Sequence, residues 1–173
     1  SKLIKKNTKI IKFNLDNYKI FVIPNFIDTS IFKKIDINKS KKLLFVGRLN
    51  FQKNLELIIK AISNSNLECD IIGYGDREKY IALKNKYNSK VNFINNVKNN
   101  DLVEFYNKCS IFLLCSHFEG NPKTLLEAMS CECSIICSNS EGIIEIVDSE
   151  CAVIVDNDSN NLRRQIFNLL NDI

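Results

Sequence analysis

Short, wholly apolar segments alternate with longer amphipathic ones along this chain, and this alternation limits its possible folds more than any other feature. Apolar runs predict strands at 19–23, 42–47, 69–73, 91–94, 111–115, 134–137 and 152–155. Apolar residues at helical spacing predict helices at 54–63, 77–87, 100–109, 124–129, 142–147 and 159–170. Strict alternation of this kind predicts an α/β fold, a Rossmann-like parallel sheet with helices on both faces. Because such sheets bind ligands at the carboxyl ends of their strands, we expect chemistry in the loops that follow the strands.

Length and composition narrow the class of protein. The chain has 173 residues, of which 45% are hydrophobic and 25% charged, enough for one globular domain with a sizeable core. No apolar run approaches the roughly 20 residues that cross a bilayer. The basic first residues lack the apolar centre of a signal peptide. We therefore expect a cytoplasmic protein.

The positive charge is concentrated near the beginning of the chain. The net charge is +4, and two clusters account for the excess: Lys2, Lys5, Lys6, Lys9 and Lys12, followed by Lys33, Lys34, Lys39, Lys41 and Lys42. Such a run is usually a solvated surface, and the functional alternative is peripheral attraction to an anionic membrane face. Nucleic acid is not an expected partner, because aromatic residues are not interleaved with the basic ones.

Cysteines and acidic pairs offer metal sites that we consider and do not favour. Seven cysteines are scattered through the chain, mostly in apolar runs, which is typical of reduced, buried thiols. A zinc site at Cys131, Cys133 and Cys137 would run through a predicted strand and has no histidine nearby. The acids Asp156 and Asp158 precede the last helix, where a capping role is favoured over metal binding. No metal site is predicted.

A first candidate site follows the strand at 42–47. Gly47, Arg48 and then Lys53 come at the carboxyl end of the strand, just before a helix for which Asn54 is the expected N-cap. Two cations beside a helix N-terminus suit a diphosphate. Taken alone, however, this segment is better explained by ordinary exposed cations.

A second candidate runs from Glu119 through Gly120, Asn121, Pro122, Lys123 and Thr124 to Glu127, after the strand at 111–115. Two carboxylates about two helical turns apart suit the paired hydroxyls of a ribose and a hexose. The free backbone N–H groups of Lys123 and Thr124 begin the helix and can meet a phosphate. The alternative is an acid favoured by the helix dipole followed by an ordinary helical glutamate.

Together these motifs form an ordered series, VGRL…QKN…IIGYG…VNFINNV…EGNPKTLLEAMSC…EGIIEIV, over roughly residues 18–170. The series resembles the retaining glycosyltransferases of family four, the "group one" transferases, and the sequence PNFID at 24–28 looks like that family's interdomain junction. The resemblance implies the GT-B architecture of two Rossmann-like domains. Residues 1–32 would be a remnant of the N-terminal acceptor domain with the linker, and residues 33–173 the nucleotide-sugar-binding domain. Glu132 stands where the family commonly has glycine.

The resemblance also implies roles for individual residues. Arg48 and Lys53 would hold the donor phosphates, Glu127 the ribose and Glu119 the donor hexose, so that Glu119, Arg48 and Lys53 form the catalytic set. Lys123 and Thr124 would offer backbone N–H groups to the distal phosphate. Asn95, Asn96 and Val97 would form the loop that lies against the base, and Gly73 and Gly75 would let the chain pass close to it. Gly47, Gly120 and Asn121, in the turns beside the cations and Glu119, complete the expected donor-binding residues. For His117, a role in shaping the cleft is favoured over that of a general base.

The expected function is therefore metal-independent, retaining transfer of a hexose from a nucleotide-diphosphate sugar to a hydroxyl acceptor, with no further cofactor. Assembly of cell-surface polysaccharide or lipopolysaccharide is the expected setting, at the inner face of the membrane. We expect the chain to need the missing N-terminal domain, in cis or in trans, and to be inactive alone. Alternatives are a subunit of a split transferase, a non-catalytic nucleotide-sugar-binding module, or another GT-B sugar-phosphate enzyme.

Overall fold

The computed structural model describes Phe21, residues 23–95 and residues 97–172. The strands in these ranges are β1 (Lys42–Val46), β2 (Glu68–Ile72), β3 (Lys90–Ile94), β4 (Ile111–Leu114), β5 (Ser134–Ser138) and β6 (Val153–Val155). The helices are α1 (Leu55–Ala61), α2 (Arg77–Lys86), α3 (Leu102–Lys108), α4 (Lys123–Ser130), α5 (Glu141–Ile144) and α6 (Ser159–Asn171). The strand predicted over 19–23 lies outside the described residues except for Phe21 and Ile23, which are not in a strand.

All six strands form one parallel sheet in the order β3-β2-β1-β4-β5-β6, which confirms the predicted Rossmann-like fold. The two central strands, β1 and β4, are apolar almost throughout because helices cover them on both faces. Helix α1 packs against both α2 and α6, while α3 packs against α4. No helix in the described part of the chain is long and apolar enough to cross a membrane.

The ends of two helices test the predicted caps. Asp158 accepts hydrogen bonds from the backbone N–H groups of Asn160 and Asn161, as expected of an N-cap. Asn54 does precede α1, but the prediction that its side chain caps the helix is wrong. A 3-10 turn over Phe51–Lys53 brings the chain into Asn54 with a φ of 49°, so its side chain instead donates to Asn157 at 3.2 Å.

The cysteines are mainly part of the core. Six of the seven are buried and Cys151 is exposed. Burial raises the pKa of Cys131 and of Cys137 to about 12, which keeps these thiols protonated and unreactive at neutral pH. No group of three or more His, Cys, Asp or Glu in the described ranges is arranged to hold a metal ion.

A segment before β1 is fastened to one end of the sheet. Phe32, at the end of the predicted linker, is only 3% exposed and packs edge-on against Tyr106. The side chain of Asn107 accepts from the backbone N–H of Ile35 and donates to the carbonyl of Lys33. The packed unit therefore includes Phe32, and the division of the chain at residue 32 stays a prediction.

Glu132 has a left-handed backbone, with a φ of 54°, at the turn between α4 and β5. This conformation costs a residue with a Cβ about 1–2 kcal/mol, and glycine avoids that cost but gives up more freedom on folding. The ion pair of Glu132 with Lys34 is exposed and contributes little. We expect Glu132→Gly to raise the free energy of unfolding by about 0.5–1 kcal/mol in urea denaturation. Glu132→Ala removes the same ion pair but keeps the strain, so it should give no gain.

Candidate functional site

A cavity of about 480 Å³ opens at the carboxyl edge of the sheet, in the seam between β1 and β4 where the strand order reverses. Its walls come from the loops after β1, β2, β3 and β4 and from the starts of α3 and α4. The lining residues are Val46, Gly47, Arg48, Gln52, Lys53, Ile72, Gly73, Tyr74, Val97, Leu102, Glu119, Pro122, Lys123 and Thr124.

Most of the predicted site residues meet in this cavity. The lining includes Gly47, Arg48, Lys53, Gly73, Val97, Glu119, Lys123 and Thr124. Five others are not part of the lining: Gly75, Asn95, Gly120, Asn121 and Glu127. Asn96 lies outside the described residues. Both cations and one of the two carboxylates are thus brought together, although they come from loops some 70 residues apart in the chain.

The cavity contains a short ion pair. The Nζ atom of Lys53 lies 2.5 Å from Oε1 of Glu119, and the two side chains are 12% and 6% exposed. The Ser116 hydroxyl donates to the same Glu119 oxygen at 2.5 Å. Arg48, in contrast, is exposed at the mouth of the cavity. The sequence predicts two independent groups at positions 53 and 119, whereas the structure pairs them with each other.

Hydrogen bonds hold the loop of Glu119 against the turn that carries Lys53. The backbone N–H of His117 donates to the Gln52 carbonyl, and the Gln52 side chain donates to the Phe118 carbonyl, each at 2.9 Å. The ring of His117 stacks on Phe51 with centroids 4.7 Å apart. His117 thus helps to join the Glu119 loop to the turn that carries Lys53. It is not among the residues that line the cavity, so its role in shaping the cleft stays a prediction.

Gly142 supports the same loop from below. A Cβ at this position, in the first turn of α5, would lie 2.0 Å from the Glu119 carbonyl oxygen and 2.6 Å from that of Gly120. Only glycine lets the helix approach the loop backbone so closely. Sequence reasoning missed Gly142, because a glycine near a helix start gives no sign of what passes over it.

The glycines after β2 serve contacts between loops. Gly73 has a φ of 148°, and a Cβ there would lie 1.9 Å from the Gly47 carbonyl oxygen. The backbone of Leu49 forms a β-bridge with Gly75, and its N–H donates to the Tyr74 carbonyl at 2.8 Å. These glycines therefore let the loops after β1 and β2 pack together, whereas the resemblance assigns their small size to passage near a bound base.

The turn formed by these loops presents Tyr74 to the solvent. Its side chain is 74% exposed and lines the cavity, while its neighbours are fixed by the contacts just described. Leu102, at the start of α3, adds a buried apolar wall. Sequence reasoning missed both residues; the position of Tyr74 between two glycines was the available signal, and Leu102 gave none.

The start of α4 adds polar backbone groups to the cavity. Lys123 and Thr124 occupy its first two positions, where N–H groups have no partner within the helix. Pro122 precedes them with an extended backbone and has no N–H of its own to satisfy. The carbonyl of Asn121 accepts from the Asn25 side chain, outside the cavity lining.

Glu127 lies one layer behind the cavity. It is 5% exposed, and its carboxylate accepts a hydrogen bond from the Tyr106 hydroxyl at 2.8 Å. Burial is the main reason why the pKa values of both Glu127 and Tyr106 are raised above their ordinary values. Tyr106 was not predicted, because on sequence it is only one aromatic residue of an amphipathic helix.

Comparisons with known proteins agree with this architecture. The chain is 31% identical over 103 residues to the N-acetylgalactosamine-N,N'-diacetylbacillosaminyl-diphospho-undecaprenol 4-alpha-N-acetylgalactosaminyltransferase of Campylobacter jejuni, an alignment that covers 58% of this chain and 28% of that protein. The chain spans between 28% and 38% of the length of the curated relatives it matches.

Solved structures share the fold at lower identity. Sucrose-phosphate synthase from Thermosynechococcus elongatus superimposes with a TM-score of 0.80 and 20% identity, covering 91% of this chain and 46% of that one. Anabaena HepE in complex with UDP-glucose gives a TM-score of 0.75 at 16% identity, with 84% and 46% covered. The sequence profile of the glycosyl transferases group 1 matches residues 27–173. The chain therefore belongs to the glycosyl transferases group 1 family, as its ordered motifs predicted.

Proposed function

We propose that this cavity binds a nucleotide-diphosphate sugar and that the chain is the donor-binding part of a hexosyltransferase. The observation that carries the proposal is the convergence, in one cavity, of Arg48, Lys53 and Glu119 with the first turn of α4. Cations and free N–H groups suit a diphosphate, and a buried carboxylate beside them suits sugar hydroxyls.

The residues of the cavity can stabilise the departure of the diphosphate. Negative charge grows on the bridging and terminal oxygens as the bond to the anomeric carbon breaks. Lys53, Arg48 and the N–H groups of Lys123 and Thr124 line the cavity and are the donors that can stabilise that charge. We assign Glu119 to binding of the donor sugar. We also propose that the acceptor hydroxyl attacks the anomeric carbon from the side on which the diphosphate leaves, so that the configuration at this carbon is retained.

We propose that Glu127 contacts the ribose, which requires the ribose to reach a carboxylate behind the cavity wall. Its carboxylate is buried and already accepts a bond from Tyr106, so a ribose hydroxyl would have to reach its remaining lone pairs. Tyr106 then becomes a positioning residue that fixes the carboxylate, and Tyr106→Phe should weaken nucleotide binding only through Glu127.

The relatives support the setting that we propose. The Campylobacter protein is named for an acceptor linked to diphospho-undecaprenol, which is a membrane lipid. The fold is shared with a protein whose structure contains UDP-glucose. By analogy, we propose a lipid-linked acceptor at the cytoplasmic face of a membrane and a companion acceptor-binding domain in cis or in trans.

The first test is nucleotide binding without divalent metal. We expect the 173-residue chain to bind at least one of UDP, GDP or ADP, or the matching glucose or mannose nucleotides, with equal affinity in Mg²⁺ and in EDTA. The physical reason is that the cations and N–H groups of the cavity can replace a metal on the diphosphate. Isothermal titration calorimetry measures this directly. Binding that disappears on chelation contradicts the metal-free proposal, and transfer of sugar by the chain alone contradicts the need for a companion domain.

A further inference from the structure

The pair formed by Lys53 and Glu119 differs from the other ion pairs of the described chain in its burial. Its side chains are 12% and 6% exposed, whereas each of the other five pairs has at least one side chain exposed by 39% or more. It is also the pair that lines the cavity. The Ser116 hydroxyl holds the carboxylate in place at 2.5 Å.

The pairing creates competition for Lys53. A diphosphate that binds in the cavity must share the ammonium with the Glu119 carboxylate or take the ammonium away from it. Either outcome brings a second anion close to the buried Glu119 carboxylate and weakens the neutralisation of that carboxylate by Lys53. Both effects make the binding free energy of the diphosphate less favourable. The loop cannot readily carry the carboxylate elsewhere, because Gln52 and Gly142 hold it on two sides.

A sugar on the diphosphate changes this balance. Its hydroxyl groups donate hydrogen bonds to the carboxylate, and these can replace the contact that Lys53 withdraws. A nucleoside diphosphate without a sugar brings the negative charge but no such donors. The same carboxylate therefore opposes the free nucleotide and tolerates the nucleotide sugar.

We propose, given the donor-binding function above, that Glu119 is an internal competitor for Lys53 that makes the cavity select an intact nucleotide sugar over the nucleoside diphosphate left after transfer. Removal of the carboxylate then has opposite effects on the two ligands. Loss of the sugar in the reaction restores the Lys53–Glu119 pair and favours release of the diphosphate.

The test is calorimetry on Glu119→Gln with the nucleoside diphosphate and nucleotide sugar that the wild-type chain binds, chosen from UDP, GDP and ADP and their glucose or mannose forms. We expect the variant to bind the nucleoside diphosphate about tenfold more tightly, or ~1.4 kcal/mol. The nucleotide sugar should bind no more tightly than to wild type, so the preference for the sugar form falls. In a Lys53→Met background there is no ammonium to release, so the gain should shrink to the direct repulsion between the carboxylate and the diphosphate, which a purely structural role of Glu119 does not predict.

Two controls separate the explanations. Glu68→Gln removes the same charge from an exposed lysine–glutamate pair at the opposite, amino edge of the sheet, and it should change neither affinity. Glu119→Asp keeps the charge but draws it away from Lys53, and it should tighten diphosphate binding by a smaller factor. This variant provides the test if Glu119→Gln fails to fold. Equal or weaker diphosphate binding by folded Glu119→Gln overturns the competition. A wild-type chain that binds none of these nucleotides instead overturns the proposed function, and the competition with it.

Discussion

Gly142→Ala is expected to lower the free energy of unfolding by about 2–3 kcal/mol and to weaken nucleotide binding at least tenfold. The added methyl group would overlap the carbonyl oxygens of Glu119 and Gly120, at 2.0 and 2.6 Å, so the helix or the loop must move. Alanine in a helix is intrinsically better than glycine by about 1 kcal/mol. A net loss can therefore come only from the overlap. Movement of the loop displaces Glu119, and Lys53 with it.

Gly120→Ala is the matched control for stability. It adds the same methyl group one residue from Glu119, but no heavy atom lies within 4 Å of the new Cβ. Its stability should stay within about 0.5 kcal/mol of wild type. Urea denaturation followed by titration of nucleotide measures both quantities. A Gly142→Ala protein with wild-type stability and affinity would show that the Glu119 loop moves away from the added methyl group with no loss of free energy of unfolding, which contradicts this prediction.

Lys53→Met should be the most damaging of the charge substitutions. It leaves the Glu119 carboxylate 6% exposed with only the Ser116 hydroxyl beside it, which should lower the free energy of unfolding by about 2–3 kcal/mol. It also removes a donor to the diphosphate, which should weaken binding about ten- to a hundredfold. Sequence reasoning expects no effect on folding, because it places Lys53 at the surface of the cleft.

A double variant tests this explanation. Adding Glu119→Gln to Lys53→Met should restore most of the stability, since the uncompensated charge is gone, but it should not restore diphosphate binding. Arg48→Met is the matched comparison: Arg48 is exposed, so its loss should weaken binding and leave the unfolding midpoint unchanged. Additive stability losses in the double variant would contradict a direct interaction between the two side chains.

The sequence predicts the fold well because two periodicities separate its elements. Short apolar runs such as that of β4 indicate buried strands because they are too short for helices, and all six strands and six α-helices in the described ranges overlap the segments where periodicity placed them. The misses are local: the 3-10 turns at 51–53 and 99–101 are too short to show a period, and α5 ends at Ile144, three residues before the prediction.

The site is predictable only to the level of its loops. Parallel topology brings the residues after β1 and β4 to one edge, which is why Arg48, Lys53 and Glu119 share a cavity. Which charged groups pair depends on rotamers and on the contact between Gln52 and Phe118, and neither has a sequence signature. The burial of Glu127 behind Tyr106 depends likewise on how deeply α4 packs against α3.

The seam between β1 and β4 has a consequence for how the domain assembles. Strands β1 to β3 and strands β4 to β6 are each made of consecutive neighbours, but β1 and β4 meet only after the chain closes over residues 47–110. Such long-range pairing is the slow event in folding. The cavity straddles that seam, with Lys53 on one half and Glu119 on the other. A bound nucleotide should therefore stabilise the contact between strands β1–β3 and strands β4–β6. Amide hydrogen exchange should then slow more along β1 and β4 than along the outer strands.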